Sequence, residues 1–259
     1  MNYKGRTERV DDGYGAGHHE RHHQSGVGQA EEGTSRRGHG EKDTASTERA
    51  GYNTIGDALK RENYLIEPLP LAQRGEVPAD TAVVIVAGPS IDFFPQEVDA
   101  LKKYLAGGGK VLLALDPPQK LDSPPLTNLV ALAREWGIDV GNDVDSGRQR
   151  HGTALWRFRG SACRSHLPGA PDHAALQRHD GYPLARSVTP VSGGAGGRTA
   201  QAIVETGRNS WAESDLKSVL TGRPVKMEES GGDKPGPVAI AAAVSAPVGP
   251  SNSCRPRPA

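Results

Sequence analysis

The sequence predicts a three-layer α/β fold built around a mostly parallel sheet. Residues 81–118 carry this prediction, because two short apolar runs there flank an amphipathic segment. The first run, residues 83–86, is β-branched at every position, as expected of a strand buried on both faces. A strand, a helix and a second strand in this order imply a parallel pair joined by a right-handed crossover.

The segment between the two runs has the features of one helix. Pro95 suits the first helical turn, and Val98 and Leu101 recur at helical spacing. Glycines at 107–109 end this helix, and residues 111–115 form the next buried strand.

Weaker patterns predict the other elements. In chain order these are an edge strand at 2–10, a helix at 52–62, a strand at 64–69, a helix at 126–136, and strands at 138–140, 200–204 and 238–244. The predicted domain organisation is an edge strand at 1–10, an α/β core at 38–143, the remainder of that α/β domain at 182–246 and a disordered tail at 247–259. The intervening windows, 11–37 and 144–181, do not fit this pattern.

These two windows have little apolar periodicity and are crowded with His, Arg and Gly. One interpretation is a pair of long disordered loops, which are unusual inside a compact domain. The other is that both windows are frameshifted. A shift of one nucleotide within residues 11–34 permits the peptide TTDTEQDITNAIIKAVSGKQKKV, and the same shift within residues 167–182 permits YPAHPITQRFNVMTA. Two protein-like peptides in one shifted frame favour frameshifted segments, and the coding DNA decides the matter.

Composition excludes several functional classes. The formal net charge is zero, so no global field attracts nucleic acid or anionic lipid. No apolar run approaches the ~20 residues of a membrane span, and no signal-peptide pattern follows Met1, so a soluble chain is expected. Cys163 and Cys254 are not expected to form a disulfide.

A run of histidines has the spacing of a metal site. His18 and His22, like His19 and His23, stand four residues apart, which on a helix suits zinc or nickel. The Gly-rich surroundings offer no helix to hold that geometry, and in a frameshifted segment the histidines are accidental. We therefore predict no metal and no cofactor.

Polar residues follow the predicted parallel strands, where such folds place ligands. The candidate ligand- or partner-binding residues are His39, Gly40, Glu41, Gly88, Asp92 and Asp116. His39 and Glu41 could form an acid/base pair, and Gly40 allows close backbone approach. The alternative is a Gly-rich turn in which Asp43 or Thr44 caps a helix.

No catalytic residue is predicted, because a nucleophile is not evident. Ser90 lacks the G-x-S-x-G elbow of serine hydrolases. The sequence also lacks a phosphate-binding loop of the G-x-x-x-x-G-K-[ST] type.

Several segments carry a family resemblance. They are NYKGRTERV, GHGEKD, GYNTIGDALKRENY, VVIVAGPSIDFFPQEVDALKKYLAGGGKVLLALDP, SWAESDL and GDKPGPVAIAAAVS. Together they resemble the ABC-type uncharacterised transport system family, which includes the gliding-motility-associated auxiliary component of ABC transporters. The resemblance implies a glutamine-amidotransferase-like or flavodoxin-like fold, although the Cys-His-Glu set of true amidotransferases is not recognisable. It also implies work on the extracytoplasmic side of the bacterial inner membrane, where family members are tethered by hydrophobic helices that this chain does not show.

Three functional hypotheses follow. The first is a non-catalytic accessory domain that binds a permease, an ATPase or a related membrane subunit, or a glycan, through the loops near His39, Gly88 and Asp116. The second is a hydrolase or amidotransferase relative that uses His39 and Glu41. The third is an unstable truncated product without activity. None of the three involves nucleic acid.

Overall fold

The computed structural model describes residues 26–30, 38–48, 51–147, 161–165, 181–182, 185–191 and 197–247. Its helices are α1 (Asn53–Arg61), α2 (Leu71–Arg74), α3 (Pro95–Ala106), α4 (Thr127–Glu135) and α5 (Leu216–Leu220), with a 3-10 turn at Glu229–Gly231. Its strands are β1 (Gly26–Ala30), β2 (Leu65–Leu69), β3 (Thr81–Ala87), β4 (Val111–Ala114), β5 (Ile138–Val140), β6 (Val144–Gly147), β7 (Ser161–Ser165), β8 (Gly181–Tyr182), β9 (Val188–Pro190), β10 (Thr199–Thr206), β11 (Ser210–Glu213), β12 (Lys234–Pro235) and β13 (Ala239–Ser245). None of the described helices is both long and apolar enough to cross a membrane.

One sheet is parallel and has the strand order β2-β1-β3-β4. The predicted unit of strand, helix and strand is confirmed, because β3 and β4 pair in parallel and α3 connects them. Pro95 opens α3 at its first turn, and the Glu97 carboxylate accepts a hydrogen bond from the Phe94 backbone N–H at 2.8 Å. That carboxylate accepts from a backbone N–H that has no hydrogen-bond partner within the helix itself.

The hydrophobic core lies between the parallel sheet and helices α3 and α4. Val84 and Val86 of β3 are fully buried, as is Leu101 of α3. Leu129 of α4 and Phe93 of the loop before α3 complete the same cluster. Each such side chain contributes about 1.5–3 kcal/mol on burial, so this cluster fixes the strand ends that carry the candidate site.

The prediction of a three-layer, mostly parallel sheet of the glutamine-amidotransferase-like or flavodoxin-like kind is wrong for the chain as a whole. Among the described residues, the parallel arrangement is limited to β1–β4. The other sheets, β13-β10-β7-β8, β12-β11-β6 and β5-β9, are antiparallel. The physical reason is the connection between β10 and β13: it holds short strands and a five-residue helix, whereas a parallel pair usually needs a helical crossover.

The structure describes short strands within both irregular windows. Within residues 11–37, β1 lies between β2 and β3. Within residues 144–181, β6 pairs with β11, and Val144 is only 3% exposed. The packed β6 removes structural support for a shifted frame at its own position. The reading-frame hypothesis otherwise stays a prediction.

Several predicted features lie outside the described residues. They are the edge strand at 2–10, the histidine run at 18–23, Cys254 and most of the tail from 247. The domain boundaries drawn from the sequence likewise remain predictions.

Candidate functional site

Three loops meet at the carboxyl edge of the parallel sheet, as the sequence predicted. The Lys42 backbone N–H donates to the carbonyl of Ala87, the last residue of β3, at 2.7 Å. The Gly88 N–H donates to the carbonyl of Ala114, the last residue of β4, also at 2.7 Å. Backbone hydrogen bonds therefore hold residues 38–48 against the end of β3, and the loop after β3 against the end of β4.

His39 is buried between two carboxylates. Its Nε2 lies 3.0 Å from Glu97 Oε2, and its Nδ1 lies 3.7 Å from Glu41 Oε1. The exposed fractions of His39, Glu41 and Glu97 are 7%, 2% and 3%. The ring also packs on Phe93, with centroids 4.4 Å apart. Both ring nitrogens thus face protein groups rather than solvent.

Glu41 is the most perturbed acid of this cluster. Burial raises the pKa of its carboxyl above the usual value, since the charged form loses its hydration. Backbone N–H groups, including that of His39 at 3.1 Å, oppose the rise, and so does the nearby imidazole. The charge of Glu97 adds to the rise. The balance favours a proton on Glu41 at a higher pH than for an exposed glutamate.

A second, more exposed polar pair lies beside this cluster. Lys42 Nζ and Asp116 Oδ2 are 3.5 Å apart, and their side chains are 21% and 35% exposed. Gly88 lies against both: a Cβ there would be 3.1 Å from Asp116 Oδ2 and 3.1 Å from Lys42 Cε. Its φ of +59° also lies in the left-handed region. Glycine is therefore required at this position.

Replacing Gly88 with alanine is expected to destabilise the fold by about 1–3 kcal/mol, because it combines backbone strain with a close approach to the ion pair. Gly75→Ala is the matched control, since Gly75 has a φ of +70° but open space around its Cβ. Urea unfolding measures the loss of stability in both variants. The loss in Gly75→Ala reports backbone strain, and the additional loss in Gly88→Ala reports the close approach to Lys42 and Asp116. Equal losses in the two variants would show that the contact with Lys42 and Asp116 is irrelevant.

Gly40 and Asp92 have structural tasks. Gly40 has a φ of +72°, and a Cβ there would overlap Ser90 Oγ. Asp92 accepts hydrogen bonds from the backbone N–H groups of Asn128 (2.6 Å) and Leu129 (3.2 Å) at the start of α4. Through these bonds Asp92 caps the start of α4, and a ligand-binding role for it stays a prediction.

Asp43 does not cap a helix, which was the alternative role predicted for it. Its Oδ1 accepts from the Ala45 N–H at 2.7 Å, which closes a turn. No helix begins there, because α1 starts only at Asn53.

Three residues near the site were missed from the sequence. Glu97 could have been recognised as the third residue of a helix that opens with proline, where a glutamate often satisfies a terminal N–H. Tyr52 lies near Asp116, and burial together with that charge raises the pKa of its hydroxyl. Arg186, 8% exposed, donates to the Asp116 carbonyl at 3.3 Å from 70 positions away, and no local pattern marks it.

The arrangement lacks the parts of a hydrolytic centre. The Ser90 hydroxyl donates to the His39 carbonyl at 3.3 Å rather than to its ring. His39 has carboxylates on opposite sides, so the trio does not converge on one ion, and within the described ranges no group of three acidic, His or Cys side chains could hold a metal. The site can form salt bridges and hydrogen bonds, but it presents no activated nucleophile.

Large apolar side chains are exposed on the loops at this edge. Ile91, Phe94 and Leu121 are 53%, 58% and 62% exposed, and we call these three residues the docking surface. Ile91 and Phe94 belong to the loop after β3. Leu121 belongs to the loop after β4. Hydrogen bonds join the two loops at both ends of the loop after β4: Gly88 bonds to Ala114 before it, and Asp92 bonds to Asn128 after it.

Part of the chain matches a family model. Residues 36–152 match the family model described as an ABC-type uncharacterized transport system. This range holds every candidate residue named from the sequence, and the match supports the family that the sequence resembles. It is consistent with an accessory, transport-associated domain and suggests a non-enzymatic role.

Two individual proteins are also similar to the chain. The intraflagellar transport protein 52 homolog of Mus musculus is 35% identical over 98 residues, which are 38% of this chain and 22% of that protein. The matched part thus spans about a fifth of that relative's length. The solved mmIFT52 N-terminal domain aligns with a TM-score of 0.48 at 19% identity, over 73% of this chain and 78% of that chain.

Proposed function

We propose that this chain is a non-catalytic accessory domain of a bacterial ABC transport system, of the kind associated with gliding motility. The docking surface would bind a permease or a related membrane subunit on the extracytoplasmic side. The observation that carries this proposal is the exposure of Ile91, Phe94 and Leu121 beside a polar cluster. Exposed apolar patches mark interaction sites, and the centres of protein interfaces are rich in aromatic residues. Ile91 and Phe94 stand three positions apart in one loop.

The geometry of His39 supports binding over catalysis. A general base must reach a proton of the substrate, but both ring nitrogens of His39 face glutamates inside the protein. The enzyme hypothesis nevertheless has a direct test. A substrate-dependent rate that is lost in both His39→Ala and Glu41→Ala would favour a hydrolase or amidotransferase relative.

A glycan is the second candidate ligand. Lys42 and Asp116 are partly exposed, and Gln119 Nε2 lies 3.4 Å from Asp116 Oδ2. These groups can donate and accept hydrogen bonds to sugar hydroxyls. Glycan binding that Asp116→Asn abolishes and Phe94→Ser leaves unchanged would favour this ligand over a protein subunit.

Phe94→Ser is expected to weaken binding to the permease or a related membrane subunit of an ABC transport system by about tenfold or more, since aromatic anchors dominate interface energies. Serine is a preferred residue at the start of a helix, so α3 should be retained. Binding of the purified full chain to the purified subunits can be measured by biolayer interferometry.

Leu112→Ser is the matched control, because Leu112 is 54% exposed but lies within β4, away from the three loops. An equal loss of affinity in Phe94→Ser and Leu112→Ser would contradict the proposed surface. Unchanged affinity in Phe94→Ser would contradict it as well.

A further inference from the structure

We infer that His39, Glu41 and Glu97 form a proton-dependent clasp that holds the docking surface in order at mildly acidic pH and loosens it as the pH rises. This inference rests on the function proposed for that surface. The clasp joins two separate parts of the fold, since His39 and Glu41 belong to residues 38–48 and Glu97 belongs to α3.

The clasp is bonded directly to two residues of the docking surface. The His39 carbonyl accepts hydrogen bonds from the backbone N–H groups of Ser90 (2.8 Å) and Ile91 (3.0 Å). Glu97 Oε2 is shared between His39 Nε2 and the Phe94 N–H. The Phe94 ring also meets the imidazole edge to face, with centroids 5.6 Å apart. A shift of His39 would therefore move Ile91 and Phe94.

The charge of the clasp depends on its protons. The two carboxylates place up to two negative charges in a site that is almost closed to water. Of the other charged groups nearby, Lys42 pairs with Asp116 and Asp92 is directed at α4. Among the described residues, the His39 ring is thus the basic group that faces the two carboxylates. Uncompensated buried charge is costly, so proton uptake stabilises the closed clasp.

The direction of the pH effect follows from Glu41. Burial raises its pKa above the ordinary value of 4.5, so the folded chain binds more protons than the unfolded chain above that pH. By linkage, the stability of the fold then decreases as the pH rises through the raised pKa. The clasp is tighter on the acidic side of this window.

The test compares the full chain with Glu41→Gln and with Glu76→Gln, which replaces an exposed glutamate in a loop. Above pH 4.5, the folding equilibrium constant of the unmodified chain is expected to fall as the pH rises, by at most about tenfold per pH unit, relative to Glu41→Gln. Glu76→Gln should behave like the unmodified chain. Hydrogen exchange at Ser90 and Ile91, corrected for its intrinsic pH dependence, should show protection that decreases with pH only where Glu41 is present.

Identical pH dependence in the unmodified chain and Glu41→Gln would overturn the clasp, as would protection at Ser90 and Ile91 that does not change with pH. If Glu41→Gln fails to fold, carbon-detected NMR of the unmodified chain replaces it. A Glu41 carboxyl that titrates at or below pH 4.5 then overturns the clasp. A Glu41 carboxyl that titrates above pH 4.5, with the Ser90 and Ile91 amide signals shifting over the same pH range, supports the clasp. Subunit binding that is insensitive to Phe94→Ser, alongside pH-dependent protection, would remove the proposed function and leave the clasp.

Discussion

A chain re-coded in the shifted frame over residues 11–34 is expected to be much more stable than the present one. The structure adds a reason to the one found in the sequence. β1 lies between two strands of the parallel sheet, yet its sequence is Gly-Val-Gly-Gln-Ala. Interior strands of parallel sheets are usually runs of β-branched residues, and glycine weakens them.

The re-coded peptide adds apolar residues to the window that precedes β1. It contains ITNAIIKAV, which has the spacing of an amphipathic helix, followed by a basic lead into a strand. Roughly five additional buried aliphatic side chains contribute on the order of 1.5–3 kcal/mol each before the entropic cost is subtracted. Their sum is comparable to the whole net stability of a typical domain.

Calorimetry of the two chains measures this difference as a shift of the thermal midpoint. A third chain, with the residues of the re-coded peptide in scrambled order, controls for composition. Equal midpoints of the present and re-coded chains would contradict the prediction, and so would coding DNA whose codons do not permit the peptide. A present chain without any cooperative transition would support the hypothesis of an unstable product.

The elements that the sequence predicted correctly are those set by local pattern. β3, α3 and β4 follow from a β-branched run, a helical period and a glycine stop, all within residues 81–118. The pairing of β10 with β13 depends on contacts between distant segments, and apolar runs alone do not distinguish parallel from antiparallel partners. The error in fold class arose there, because later strands were assumed to extend the first sheet.

In the candidate site too, some features follow from local sequence pattern and others depend on contacts between distant segments. His39, Gly88 and Asp116 come together because the carboxyl ends of parallel strands share one edge. The carboxylate of Asp92 was assigned to a ligand but caps α4, a contact across 36 positions that the sequence does not indicate. Long-range polar contacts were therefore the part of the site beyond reach of the sequence.

Arg186 shows how much such a contact can contribute. Its Nε donates to the Gly141 carbonyl at 2.6 Å and its Nη1 donates to the Asp116 carbonyl at 3.3 Å. Burial lowers the pKa of its guanidinium, while the charges of Asp143 and Asp116 oppose that change. The guanidinium therefore connects the loop after β4 with the loop after β5.

Arg186→Met is expected to reduce the free energy of unfolding by about 2–4 kcal/mol, because it leaves the buried Gly141 carbonyl and the partly buried Asp116 carbonyl without these donors. Asp143 also loses a favourable charge, although it keeps its hydrogen bonds from the Ser187 N–H and hydroxyl at 2.7 and 2.6 Å. The same variant should weaken subunit binding, since the Asp116 backbone is no longer held beside Lys42. Arg134→Met, at an exposed position of α4, is the control and should cost no more than about 0.5 kcal/mol. A loss in Arg186→Met as small as that of the control would show that this connection does not stabilise the fold, and the Asp116 loop would then depend on its bonds to Gly88 and α4 alone.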